Sequence, residues 1–294
     1  MQYFKKRYYR IIQSLVKKMI QIERHSKNQN LKKAVRSALY HGTNNKDEIK
    51  LSINKKRKLL VFSLDWNSKK LFIDEEFDEK ILFKIMKILG GRNKTRITFV
   101  NIGAHIGSIC IPALKEKFFT NLIAFEPVKK NFRLLASNIY LNSLEDKSKL
   151  FNLAISNKKN KLKIKKFSNS GDYRVVNKNQ KNAEIVKSDI LDNYTNNLNK
   201  NNTLIFMDVQ GHEPMVFLGA RKTIRKKIPI VFEFSPNLLK KNWINGFGLL
   251  LKNYKYFYNL SDPVKKFKFN RKRLIGLFNN LKLKKCDYTD LLIL

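Results

Sequence analysis

The stretch Ile97-Thr98-Phe99-Val100-Asn101-Ile102-Gly103-Ala104-His105-Ile106-Gly107-Ser108 decides how the rest of the chain is read. Its β-branched apolar run has the length of a buried strand. Gly103, Ala104 and Gly107 then let the backbone turn tightly into a helix starting near Ser108. Such a loop, bare of large side chains, lets a nucleotide or nucleoside lie against the main chain, with free N–H groups at the helix start facing it. The next apolar run, Leu122-Ile123-Ala124-Phe125, ends in Glu126. That carboxylate follows the loop at close to the ~20-residue offset where a strand-end acid meets a ribose hydroxyl. The glycine spacing is Gly-x-x-x-Gly and not the dinucleotide Gly-x-Gly-x-x-Gly, which disfavours an NAD site.

Outward from this stretch the chain alternates. Strands are expected at 97–101, 121–125 and near 150–155, with helices at about 108–117 and 128–140 between them. Lys159 to Phe167 reads as a further strand, followed by an exposed turn, Ser168-Asn169-Ser170-Gly171. Thr203 to Val209 and Ile228 to Phe234 read as buried strands around a helix from Glu213 to Arg225. The tail predicts a helix at 238–252, a strand from Tyr256 to Leu260, a helix at 271–281 and a final strand from Tyr288 to Leu294. Upstream, Lys58 to Leu64 and Lys70 to Ile73 suggest a hairpin turning at Asp65-Trp66-Asn67-Ser68, and a helix from Glu79 stops at Gly90-Gly91. Strand-then-helix alternation of this kind predicts an α/β fold, a parallel sheet with helices on both faces.

With 294 residues, 43% of them hydrophobic, the chain can bury a substantial core. Residues 1–50 divide off as a basic amphipathic helix, with Phe4, Tyr8, Ile11, Leu15 and Met19 at helical spacing, and a polar flexible linker; residues 51–294 form the domain. The helix packs on the domain or a partner, or makes peripheral contact with an anionic membrane surface. The net charge of +38 would attract nucleic acid, anionic lipid or acidic glycans, although the abundance of Asn and Ile beside Lys marks part of it as compositional habit. Cys110 and Cys286 are too few for a disulfide framework. Without a bilayer-spanning run or a secretory signal, the expected setting is cytoplasmic, with the inner face of the membrane as the place of any peripheral contact.

Ligands of open α/β sheets lie at the C-terminal strand ends, which here carry Asn101, Glu126, Asp208 and Glu233. The segment Met207-Asp208-Val209-Gln210-Gly211-His212-Glu213 sets two acids and an imidazole around one glycine turn, a grouping suited to positioning a substrate hydroxyl and removing its proton. Asp208, His212 and Glu213 are therefore the candidate catalytic residues. The plain alternative is that Glu213 favours the positive end of a helix that His212 caps. The four histidines lack metal-ligand spacing, so no metal is expected.

These segments together resemble the FkbM family of S-adenosylmethionine-dependent methyltransferases. The resemblance rests on Phe99 to Gly107, Ala124-Phe125-Glu126-Pro127 with Asn131, Asn138 and Asn142, Leu153-Ala154-Ile155, Leu191-Asp192, Met207 to Glu213 and Leu218-Gly219-Ala220. It implies a Rossmann-like class I methyltransferase with a seven-stranded, mainly parallel sheet whose last strand is antiparallel. It also implies S-adenosylmethionine held by Asn101, Gly103, Ala104, Gly107, Glu126 and Asn131. O-methylation of a hydroxyl on a sugar, glycolipid, polysaccharide or secondary metabolite would follow, with His212 taking the proton, Asp208 orienting the hydroxyl or the cofactor amine, and Glu213 holding His212 or capping the helix. Asn101 stands where the family usually has Asp, and Gln210 where it usually has Glu, each removing a negative charge near a cationic cofactor. The competing expectation is a weak or inactive fold relative that binds an anionic surface or nucleic acid through its charge. Nucleic acid is the less favoured partner, because the chain has no Asn/Asp-Pro-Pro-aromatic loop.

Overall fold

Apolar runs without polar alternation belong to strands covered on both faces, and the computed structural model places them so. It describes all residues except 1, 42–48, 54–56, 75–78, 91–95, 178, 241–242, 262 and 284–287, and not the side chains of 2–12, 24, 79, 96 and 97. Gly91 and Cys286 thus lie outside the described residues. The main sheet contains β1 (Arg96–Ile102), β2 (Phe119–Phe125), β3 (Ser148–Phe151), β4 (Thr203–Met207), β5 (Ile230–Phe234), β6 (Tyr256–Asn259), β7 (Lys265–Lys268) and β8 (Thr289–Ile293). Across the sheet they run β7-β6-β8-β5-β4-β1-β2-β3. Pairing is parallel from β3 through to β5, whereas β8 is antiparallel to both β5 and β6, and β7 is antiparallel to β6.

Successive side chains along each central strand enter two different cores. Phe99, Leu204, Phe206, Val231 and Leu292 face one, beneath the helices Glu79–Ile88, Cys110–Lys115 and Lys129–Leu141. Val100, Ile205, Met207, Phe232 and Leu291 face the other, beneath Glu213–Leu218, Arg221–Arg225, Gly248–Asn253 and Arg271–Leu283. Each fully buried side chain of this kind stabilises the fold by roughly 1.5–3 kcal/mol. A smaller sheet, in the order Ala154–Ile155, Glu184–Asp189, Asn160–Lys166, Tyr173–Val176, stands apart from the first.

Several expectations are corrected. The sheet has eight strands among the described residues and not seven, because Lys265–Lys268 adds an antiparallel edge. The run near 150–155 divides between the two sheets. Lys70 to Ile73 is helical within Trp66–Asp74, since Asp65 Oδ2 accepts the Ser68 N–H at 3.0 Å and caps that helix. The partner of Lys58–Phe62 is Ile49–Ile53 instead. Gln29–His41, read as linker, is a helix whose buried Tyr40 sets its hydroxyl 3.0 Å from the carbonyl oxygens of Phe62 and Asp65. The helix from Glu213 to Arg225 breaks at Gly219, and the one expected at 238–252 is Gly248–Asn253 after a short 3₁₀ turn, Trp243–Phe247. Gln2–His25 is the expected N-terminal helix, with Leu15, Val16 and Ile20 exposed.

Candidate functional site

Strands β1, β2, β4 and β5 deliver their C-terminal ends to one cavity of ≈ 660 Å³, within the ~300–1,000 Å³ usual for small-molecule sites. It opens where β4 and β2 leave β1 on opposite sides, the switch point at which open α/β sheets hold ligands. Gly103 (φ +81°) begins the loop after β1. A Cβ there would lie 1.9 Å from the Asp208 carbonyl oxygen, so only glycine lets the loop press against the end of β4. The N–H groups of Gly103 and Ala104 both donate to Phe125 O, at 2.9 and 3.0 Å. His105, with φ +50°, then turns its N–H onto Glu126 Oε2 at 2.8 Å. Glu126 Oε1 accepts the Val128 N–H at 2.9 Å and Asn131 Nδ2 at 3.4 Å. Burial nevertheless pushes the Glu126 carboxyl up to about 7.

Of the expected cofactor contacts, Gly103, Ala104, Glu126 and Asn131 line the cavity, whereas Asn101 and Gly107 stand behind its wall. Asn101 is fully buried. Its Nδ2 donates to Phe206 O at 3.4 Å, and its Oδ1 has no hydrogen-bond partner. Gly107 (φ +94°) turns the chain between Ile111 and Leu135 into a helix that begins at Cys110, later than expected near Ser108.

Asp208 follows β4, and Gln210 Nε2 donates to its Oδ1 at 2.8 Å. Gln210 therefore steadies Asp208 where a Glu would repel it. Gln210 (φ +52°) and Gly211 (φ +88°) make a left-handed bend. Beneath it, Glu213 Oε1 accepts the N–H groups of Val209 and Gly211, at 3.2 and 3.4 Å. Glu213 thus holds the bend rather than His212, and it does not line the cavity. His212 does line it, with its Nε2 2.9 Å from Ser156 Oγ. Burial, then the nearby Lys240, lowers this imidazole to about 4, so it is neutral at physiological pH. His212 is the N-cap residue of Glu213–Leu218 but makes no side-chain cap bond.

Glu233 on β5 faces Asp290 on β8, and both border the cavity. Burial, then Asp208, Glu213, Asp290 and Asp172, drive Glu233 up to about 10. Arg174, which also lines the cavity, is engaged by Asp172 at 2.7 and 3.0 Å. A chain of net charge +38 therefore encloses a site dominated by carboxyl groups. Among the described residues no cluster of three or more His, Cys, Asp or Glu is placed to hold a metal ion.

The rim contains residues that sequence patterns did not single out. Ser168 to Gly171 is the expected turn and is exposed at Ser168, but Ser170 is buried by three partners. Its N–H donates to Asp65 Oδ1 at 2.6 Å, its Oγ lies 2.7 Å from His105 Nε2, and its carbonyl accepts Asn131 Nδ2 at 2.8 Å. Burial raises Asp65, but the N–H groups of Ser170 and Ser68 and the neighbouring His105 outweigh it and hold the carboxyl below its usual range. The Asp65-x-x-Ser68 capping pattern was a local signal of the helix; nothing local marks its link to Ser170.

The family model described as the methyltransferase FkbM domain matches residues 101–271, more than half of the chain. No curated protein matches the sequence. Among solved structures, the methyltransferase FkbM from Methylobacillus flagellatus KT is similar at 14% identity and a TM-score of 0.43, over 68% of this chain and 44% of that one. The chain thus spans under half the length of that relative. TYW2 of M. jannaschii, solved with AdoMet, is similar at 12% identity and a TM-score of 0.40, over 85% and 87%. The N-terminal domain of human METTL16 gives 11% identity and a TM-score of 0.42, over 92% and 82%.

Proposed function

Given that the chain belongs to the FkbM methyltransferase family, we propose that it O-methylates a hydroxyl of a sugar, glycolipid, polysaccharide or secondary metabolite with S-adenosylmethionine as donor. The observation that carries the proposal is the acid-lined cavity at the sheet's switch point. Glu126, Asp208, Glu233 and Asp290 border it, carboxyl groups whose ionised forms a cationic ligand would favour and a phosphate backbone would not. Bound there, S-adenosylmethionine would supply a methyl group on a positively charged sulfur.

The chain's own residues divide the remaining work. Gly103 and Ala104 leave main chain bare for the nucleoside, while Glu126 has acceptor capacity for ribose hydroxyls beyond its three N–H partners. Asp208, steadied by Gln210, orients the acceptor hydroxyl, and neutral His212 removes its proton.

In the test, His212→Ala should lower turnover by on the order of 10²-fold while leaving cofactor affinity nearly unchanged. Methyl transfer to free and activated sugars is scored against an RNA control. Equal turnover in His212→Ala would exclude it as the base, and turnover on RNA alone would overturn the acceptor class.

A further inference from the structure

An imidazole accepts a proton only through a ring nitrogen that carries none, so a base at position 212 needs a fixed tautomer. Nε2 of His212 meets Ser156 Oγ at 2.9 Å. The same hydroxyl lies within donating reach of Asn157 Oδ1, 3.3 Å away. A Ser156 hydroxyl that gives its single proton to Asn157 Oδ1 faces His212 as an acceptor. Nε2 then carries the N–H, and Nδ1 is left with a lone pair. Nδ1 makes no hydrogen bond within the described residues, and His212 borders the cavity.

The backbone makes Ser156 a rigid seat. Its N–H donates to Asp189 O at 2.8 Å, joining the strands Ala154–Ile155 and Glu184–Asp189. Its carbonyl presses on Gly219, where a Cβ would stand 2.0 Å from Ser156 O. Only glycine at 219 admits this approach, and Ser156 is 1% exposed as a result. The segments Ala154-Ile155 and Leu218-Gly219-Ala220, which no catalytic role had absorbed, meet here.

We propose that Ser156 is a positioning residue that locks His212 in the Nε2–H tautomer, with Asn157 terminating the hydrogen-bond chain and Gly219 seating it. The proposal deepens the assignment of His212 as base and rests on it. In the reaction the acceptor oxygen bonds to the methyl carbon and the carbon–sulfur bond breaks with its electron pair passing to sulfur. The hydroxyl proton moves to Nδ1, and the imidazolium keeps its Nε2–H on Ser156.

Nitrogen NMR of the full chain, labelled at histidine ring nitrogens and assigned by loss of signal in His212→Ala, reads the tautomer directly. At neutral pH, Nδ1 of His212 should resonate as a pyridine-type nitrogen and Nε2 as a pyrrole-type one. Ser156→Ala should average the two. Because that site is buried, the more exposed Asn157→Ala serves as a second variant and should shift both signals part of the way. A pyrrole-type Nδ1 in the wild type, or unchanged signals in either folded variant, overturns the proposal. The two ideas fail separately: a locked Nε2–H tautomer with full turnover in His212→Ala removes the base, whereas lost turnover with the opposite tautomer removes Ser156.

Discussion

Acidifying the solution from about pH 7.5 to about pH 5.5 should weaken binding of S-adenosylmethionine about 25-fold, and Glu126 is the reason. Burial pushes its carboxyl up to about 7 against the pull of the Val128 and His105 N–H groups and the Asn131 amide, with Asp208 adding to the rise. A ligand that donates hydroxyls and brings positive charge favours the ionised form, so the complex holds Glu126 charged. The free protein therefore binds the proton more tightly than the complex does. Binding expels it, and affinity rises with pH until the free carboxyl is itself ionised. From a value of about 7, the ionised fraction falls from about three-quarters at the upper pH to about 3% at the lower, a ratio of about 25 or ~1.9 kcal/mol. His105 and His212, both lowered to about 4 by burial, remain neutral throughout and add nothing. Glu213 also titrates near 7, but it is hydrogen-bonded to Val209 and Gly211 behind the cavity wall, alike in the free and bound protein. Titration calorimetry in buffers of different ionisation enthalpy counts the protons released, which should approach one at the lower pH. An affinity constant within about twofold across this range, or a slope that survives intact in Glu126→Gln, refutes the reasoning.

Gly103→Ala places a Cβ 1.9 Å from the Asp208 carbonyl at φ +81°, so it should cost more than about 2 kcal/mol of stability and over about tenfold in cofactor affinity. Thermal unfolding and calorimetry check both, and wild-type affinity would contradict the close packing. Asp65→Ala removes the acceptor for the Ser68 and Ser170 N–H groups and should lower the free energy of unfolding by about 1–3 kcal/mol. Urea denaturation decides it: an unshifted midpoint would mean that Asp65 does not hold the rim.

The half of the site built by β1, its glycine loop and β2 was legible because strand, turn and acid follow one another within a single supersecondary unit. The opposite wall was not. Ser170 meets Asp65 across 105 positions and Ser156 meets His212 across 56, distances over which no local pattern carries information. Glu213 misled through proximity: next to His212 in sequence, it is claimed by the N–H groups that the Gln210-Gly211 bend turns inward. Lys70 to Ile73 misled because its three apolar residues are too short a run to have a period of their own, and the cap at Asp65 settles it as helix. The edge strand Lys265–Lys268 escaped notice since a single Phe among lysines gives no apolar alternation.

Strand β8 lies between β5 and β6, yet both of its neighbours are synthesised before it. A nascent chain that has emerged as far as β7 can pair β3, β2, β1, β4 and β5, and can form the β6–β7 ribbon, but the two pieces have nothing to join them. Until Thr289–Ile293 arrives, β5 and β6 each present a bare, largely apolar edge of the kind that recruits strands from other chains. Ribosome-bound intermediates of this protein are therefore open on the inside of the sheet, and the window between translating β6 and inserting β8 is when a holdase chaperone would matter most.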